Sequence, residues 1–163
     1  MTTSCDTTDL AVDAIQDWWG RNNRQYPNAK RLMIEADSGG RNGARSRRYK
    51  KLLQDFANES GLKIKVCHYP PGSSKWNPIE HRLFSQVTAT WAGHVLSTLL
   101  ILLGFIRANT TKTGLKVTAT QLDRNNQTGL NDSKAEFKAI RLTRDNVCPQ
   151  WSYTFQPHSK HTE

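Results

Sequence analysis

The sequence predicts an α/β chain with a β-containing tail, and three of its features carry that expectation. Apolar residues recur at helical and then at alternating spacing, in the order helix, strand, helix, strand, helix, helix. Two short apolar runs, Arg31–Ala36 and Leu62–His68, flank one amphipathic stretch, as in a single βαβ step. Past residue 114 the alternating pattern returns in short segments.

Taken in order, residues 1–5 are expected to be disordered. Thr7 or Thr8 can cap a helix running to about Trp19, with Leu10, Ala11, Ala14, Ile15 and Trp18 at helical spacing. Asp6, Asp9, Asp13 and Asp17 lie on its other faces, which are expected to be solvated. A polar loop from Gly20 to Asn28 leads to the strand Arg31–Ala36, which runs into Asp37 and the turn SGGRNG. Arg45 to Ser60 reads as a helix with Tyr49, Leu52, Leu53 and Phe56 as its buried stripe and Gly61 as its C-cap. In the next strand Leu62, Ile64 and Val66 face one way and Lys63, Lys65 and Cys67 the other. That pattern predicts one covered face and a place near a sheet edge.

A Pro-Pro-Gly turn stops this strand, and a helix opens at Asn77-Pro78. Asn is a good N-cap, and Pro at the first helical position gives up an N–H that would have no partner. This helix ends near Trp91–Gly93, and a buried Leu-rich helix then reaches about Asn109. LKVTATQL, Leu115–Leu122, is predicted as a strand, and RNNQTGLND as a loop. Asp132 or Ser133 can cap a short helix, and FKAIRLTRD and WSYTFQP supply two more short strands.

At 163 residues and 36% hydrophobic content the chain suits one domain with a lean core, or a piece of a larger one. A net charge of +9 favours a polyanionic partner, nucleic acid first; a generally basic surface is the plainer alternative. The cysteines Cys5, Cys67 and Cys148 fit neither a disulfide framework nor a zinc spacing, and read as reduced thiols in a cytoplasmic protein. The first residues are polar and predict no signal peptide. The most apolar run, Val95–Ile106, is well short of the roughly 18–20 residues that span a bilayer, so no membrane is expected.

Two acids stand where chemistry gathers. Asp37 closes a strand, and Glu80 falls at the third position of a helix one βαβ step later. Two such carboxylates can share divalent metal and activate water or a 3′-hydroxyl. The structural alternative for Glu80 is a capping box reaching back to the Asn77 amide. Arg41, Arg45, Arg47, Arg48, Lys50 and Lys51 form an acid-free basic stripe able to hold phosphates; otherwise it is a solvated helix face. Lys75, Trp76 and Arg82 add cations and a stacking ring beside Glu80, although Trp76 can equally close the loop as a core aromatic. His81 can orient a carboxylate or hold the helix start, and His68 with Cys67 lacks a second ligand pair for zinc. SGGRNG lacks the Lys-Ser/Thr ending of a P-loop, which argues against nucleoside triphosphate binding. There is no nucleophile elbow.

IEADSGGRNG and RRYKKLLQDFANESGLKIKVCHYPPGSSKWNPIEHRLFS strongly resemble the carboxyl half of ISAzo-type insertion-sequence transposases. TTKTGLKVTATQLD, WSYTFQP and DTTDLAVDAIQDWW continue the likeness, which covers about Asp6 to Pro157. The resemblance implies a DDE recombinase with a ribonuclease-H-like fold. In it Asp37 matches the second catalytic aspartate and Glu80 the catalytic glutamate, around Mg2+ (or Mn2+). It implies residues 6–157 as the carboxyl part of the catalytic domain, with 158–163 as a tail, and DNA (transposon ends and target) as partner.

The family's first aspartate lies on a strand upstream of anything here, so a partial fold lacking its first strands is expected. Glu35 shares a strand face with Asp37 but sits deeper and is no replacement. STLLILLGFI is also more apolar than the family leads one to expect. The resulting reading is a DDE transposase fragment, inactive alone. The alternatives are a non-catalytic nucleic-acid-binding remnant, or one half of a split enzyme completed by a separate N-terminal piece; a homo-oligomer is a further partner expectation.

Overall fold

A computed structural model of the chain describes residues 7–37, 42–110, 114, 116–122 and 137–158. They divide into two compact units, one drawn from residues 4–71 and 124–163 and the other from residues 72–123. The predicted disorder at 1–5, the loop RNNQTGLND, the Asp132/Ser133 cap and the end of the 158–163 tail lie outside the described residues, as do Ser38–Arg41.

The first unit is a mixed α/β layer pair. Helix α1 (Thr8–Asn22) is capped by Thr7, whose hydroxyl accepts from the Leu10 N–H at 3.1 Å. Strand β1 (Arg31–Ala36) is followed by α2 (Arg47–Ser60), which the Ser46 hydroxyl caps and which ends at Gly61 in the left-handed region, φ +71°. Strand β2 (Lys63–His68) runs parallel to β1, with Leu32 opposite Ile64, Ile34 opposite Val66 and Ala36 opposite His68. The tail returns as β3 (Leu142–Arg144) and β4 (Ser152–Phe155), antiparallel to each other, and β4 is antiparallel to β2.

The sheet order is β1-β2-β4-β3, so β2 is interior rather than marginal as its alternation suggested. Alternation reports which face is covered; it carries no information about neighbours within the sheet. The covered face packs Ile64, Val66, Tyr153 and Phe155 on Val12, Tyr49, Leu53, Phe56 and Ala57 of the two helices. In α1 the buried residue is Val12, with Ile15 and Trp19 beside it, while Ala14 and Trp18 face solvent. The apolar stripe is thus rotated by about one position from the expected one. Buried Gln54 joins helix to tail. Its Nε2 donates to the Gln156 carbonyl at 2.7 Å, and its Oε1 accepts from the Arg141 N–H at 2.8 Å.

The second unit is helical. A 3-10 turn at Ser74–Trp76 leads into the Asn77-capped helix, which continues as α3 (Ser85–Trp91) and is followed by α4 (Leu99–Arg107). The Thr98 hydroxyl caps α4 by accepting from the Ile101 N–H at 3.2 Å. Two expectations fail in this unit. The Leu-rich helix buries only Leu103, and Leu100 is 79% exposed, because α4 is apolar around its whole circumference while one face packs. In the predicted strand Leu115–Leu122, Lys116 makes a single bridge to Thr110, and residues 117–122 are irregular. Alternation alone does not make a strand without a ladder partner.

Candidate functional site

Asp37 projects just beyond the sheet. The Tyr69 N–H donates to the Ala36 carbonyl at 2.8 Å, joining the ends of β1 and β2, and the Asp37 side chain beyond them is exposed. Glu35, on the uncovered face, accepts from the Tyr69 hydroxyl at 3.0 Å. His68 occupies the covered face directly across from Ala36. Its Nε2 lies 2.7 Å from the Tyr153 hydroxyl and its Nδ1 3.4 Å from the main-chain carbonyl of Asp37. Burial, opposed by the Asp37 carbonyl and aided by Lys50, lowers the pKa of His68, and burial raises that of Tyr153 and pushes Tyr49 up to about 12. The imidazole is therefore neutral, and both phenols keep their protons.

This role of His68 escaped the sequence reading, although the signal was there: it continues the inward series Leu62, Ile64, Val66 by one more step of two. Cys67 points the other way, with its Sγ 3.6 Å from the Ser152 hydroxyl, so strand alternation keeps it from joining His68 at one metal.

Glu80 belongs to the helical unit. Asn77 Oδ1 accepts from the Ile79 N–H at 3.2 Å, as a cap should. From Glu80 to Phe84 the helix is π-wound, the Ser85 N–H donating to the Glu80 carbonyl five residues back. Such turns recur at functional sites. Among the described residues the Glu80 carboxylate does not close a capping box on the Asn77 amide, and it is exposed. His81 Nε2 donates to the Lys75 carbonyl at 2.6 Å and so ties the 3-10 turn to the helix, a structural role. The Lys75 ammonium sits 5.1 Å from the Trp76 ring centroid. Trp76 is 70% exposed rather than a core aromatic, and Arg82 is exposed as well.

The basic stripe is less uniform than its sequence. Arg45 and Arg47 are exposed at the start of α2, with the Arg47 guanidinium 5.5 Å from the Phe137 ring centroid. Arg48 donates to both carboxylate oxygens of Asp9, which is therefore not simply solvated, and Lys51 pairs with Asp55 one turn on. Lys50 is buried, contrary to its expected place on the exposed side. Its Nζ lies 5.2 Å from the Tyr153 ring centroid, and its pKa is lowered by burial first and by Arg144 second. Arg41 lies outside the described residues.

Among the described residues no three His, Cys, Asp or Glu side chains cluster as a ready-made metal cage. Asp37 and Glu80 offer hard oxygen donors, exposed at a strand end and a helix start. Mg2+ is commonly bound by one or two protein carboxylates together with substrate phosphates and water. The donor chemistry therefore fits the metal that the resemblance implies. No described helix is long and apolar enough to cross a membrane.

The profile of the Rhodopirellula transposase DDE domain matches residues 1–157, almost the whole chain. The chain belongs to this family of transposase DDE domains. No curated protein and no solved structure matches it significantly.

Proposed function

We propose that Asp37 and Glu80 are two of the carboxylates of a metal-dependent DNA strand-cleavage and strand-transfer site, and that the chain needs a further strand to act. The observation that carries this reading is the state of the two acids. Asp37 is presented just beyond the end of a parallel strand, and Glu80 stands at a π-wound helix start with its carboxylate exposed. A bound Mg2+ would polarise the phosphate and make the attacking water or 3′-hydroxyl a better nucleophile. Asp37 and Glu80 would be metal-binding carboxylates, while Arg45, Arg47, Lys75 and Arg82 hold backbone phosphates and Trp76 stacks on an unpaired base.

Among the described residues β1 pairs only with β2, and its other edge carries no ladder. A strand added there would bring a third carboxylate beside Asp37, whether from a separate polypeptide or from a second copy of the chain. A DNA-binding role without catalysis is the second reading, favoured by the exposure of Arg45 and Arg47 at the amino end of α2.

The test is a nicking assay on supercoiled DNA with Mg2+. The chain alone should leave the DNA intact. Metal-dependent nicking by the chain alone, abolished in Glu80→Gln, would contradict the need for a further strand.

A further inference from the structure

We infer that His68 is a positioning residue for Asp37, clamping the main chain from which that carboxylate projects; this rests on reading Asp37 as a metal-binding group. The parallel ladder between β1 and β2 ends at the pair Ala36 and His68, and the Tyr69 N–H takes the Ala36 carbonyl. The next carbonyl along the chain is that of Asp37, and the His68 ring reaches it with Nδ1 at 3.4 Å. A carbonyl can only accept, so Nδ1 must carry the proton. In a neutral imidazole Nε2 is then bare, and its lone pair accepts from the Tyr153 hydroxyl at 2.7 Å.

Tyr153 is itself fixed. It is fully buried, meets Phe155 edge-on at a centroid distance of 5.5 Å, and has the Lys50 ammonium against its ring. A rigid core side chain thus sets the tautomer of His68, and the tautomer decides whether the Asp37 main chain is held. Groups that orient a ligand in this way typically change metal affinity about 10- to 100-fold when removed.

The test uses the full chain and two readouts. Long-range 15N-correlated NMR on the metal-free protein should find His68 in the Nδ1–H tautomer. Mn2+ titration should then separate two substitutions. His68→Asn keeps an N–H donor near the Nδ1 position and should stay within about twofold of the parent. His68→Gln offers its donor only near Nε2 and should weaken Mn2+ about 10-fold. A merely space-filling histidine would not split the pair this way.

An Nε2–H tautomer overturns the proposal without any substitution. Normal Mn2+ binding by His68→Gln, alongside a loss in Asp37→Asn, overturns the clamp and leaves the metal site standing. Normal binding by Asp37→Asn overturns the metal site and the clamp together.

Discussion

Asp145 is held by two neighbours on the uncovered face of the sheet, where the Lys65 ammonium lies 2.6 Å away and the Ser152 hydroxyl donates at 2.7 Å. These bonds, Lys65 first and Ser152 second, lower its pKa from the ordinary 3.8. The unfolded chain therefore takes up this proton before the folded chain does. The stability it contributes is complete above 3.8 and is lost as pH falls through the lower folded value. Asp145→Asn should accordingly lose less stability than the parent between neutral pH and about pH 3 in urea denaturation. Equal losses would place the acid sensitivity elsewhere.

Residue-scale geometry also sorts the basic stripe. Arg48→Ala breaks the paired bonds to Asp9 and should cost about 1 kcal/mol of stability, with a small change in DNA affinity. Arg45→Ala should do the reverse, lowering DNA affinity and flattening its steep salt dependence. A larger DNA effect from Arg48 than from Arg45 would mean that the Asp9 pair opens on binding. The sequence could not separate these two arginines, because Asp9 lies 39 positions from Arg48 and only the packing of α1 on α2 brings them together.

At the scale of elements, what was legible in the sequence is what local chemistry decides. β1 and β2 follow from short apolar runs, and the end of α2 follows from Gly61, whose φ of +71° suits glycine best, while its start falls after the Ser46 cap rather than at Arg45. What was not legible depends on partners far away in sequence. LKVTATQL has strand alternation but, among its described residues, only a bridge at Lys116, and nothing in the sequence distinguishes Gln54 from other polar helix positions. Its amide in fact satisfies the Gln156 carbonyl and the Arg141 N–H, on the segments that adjoin β4 and β3. Gln54→Ala should therefore destabilise the chain by about 1–3 kcal/mol, the cost of leaving buried groups unpaired. A change below about 0.5 kcal/mol in urea denaturation would mean that water replaces the amide.

For the whole molecule, the candidate site was half legible. Asp37 and Glu80 stand out in the sequence because each ends or opens an element, and the chain belongs to a family of transposase DDE domains. The inward place of His68 could be read from strand alternation, but its bond to Tyr153, 85 positions away, could not. The four-stranded sheet accounts for where Asp37 sits, and among the described residues the outer edge of β1 carries no ladder. The central proposal is that Asp37 and Glu80 are both metal-binding carboxylates, and Mn2+ titration of the single variants tests it most directly. Asp37→Asn and Glu80→Gln should each weaken Mn2+ binding. A variant of either acid that binds Mn2+ as the parent does would contradict the proposal.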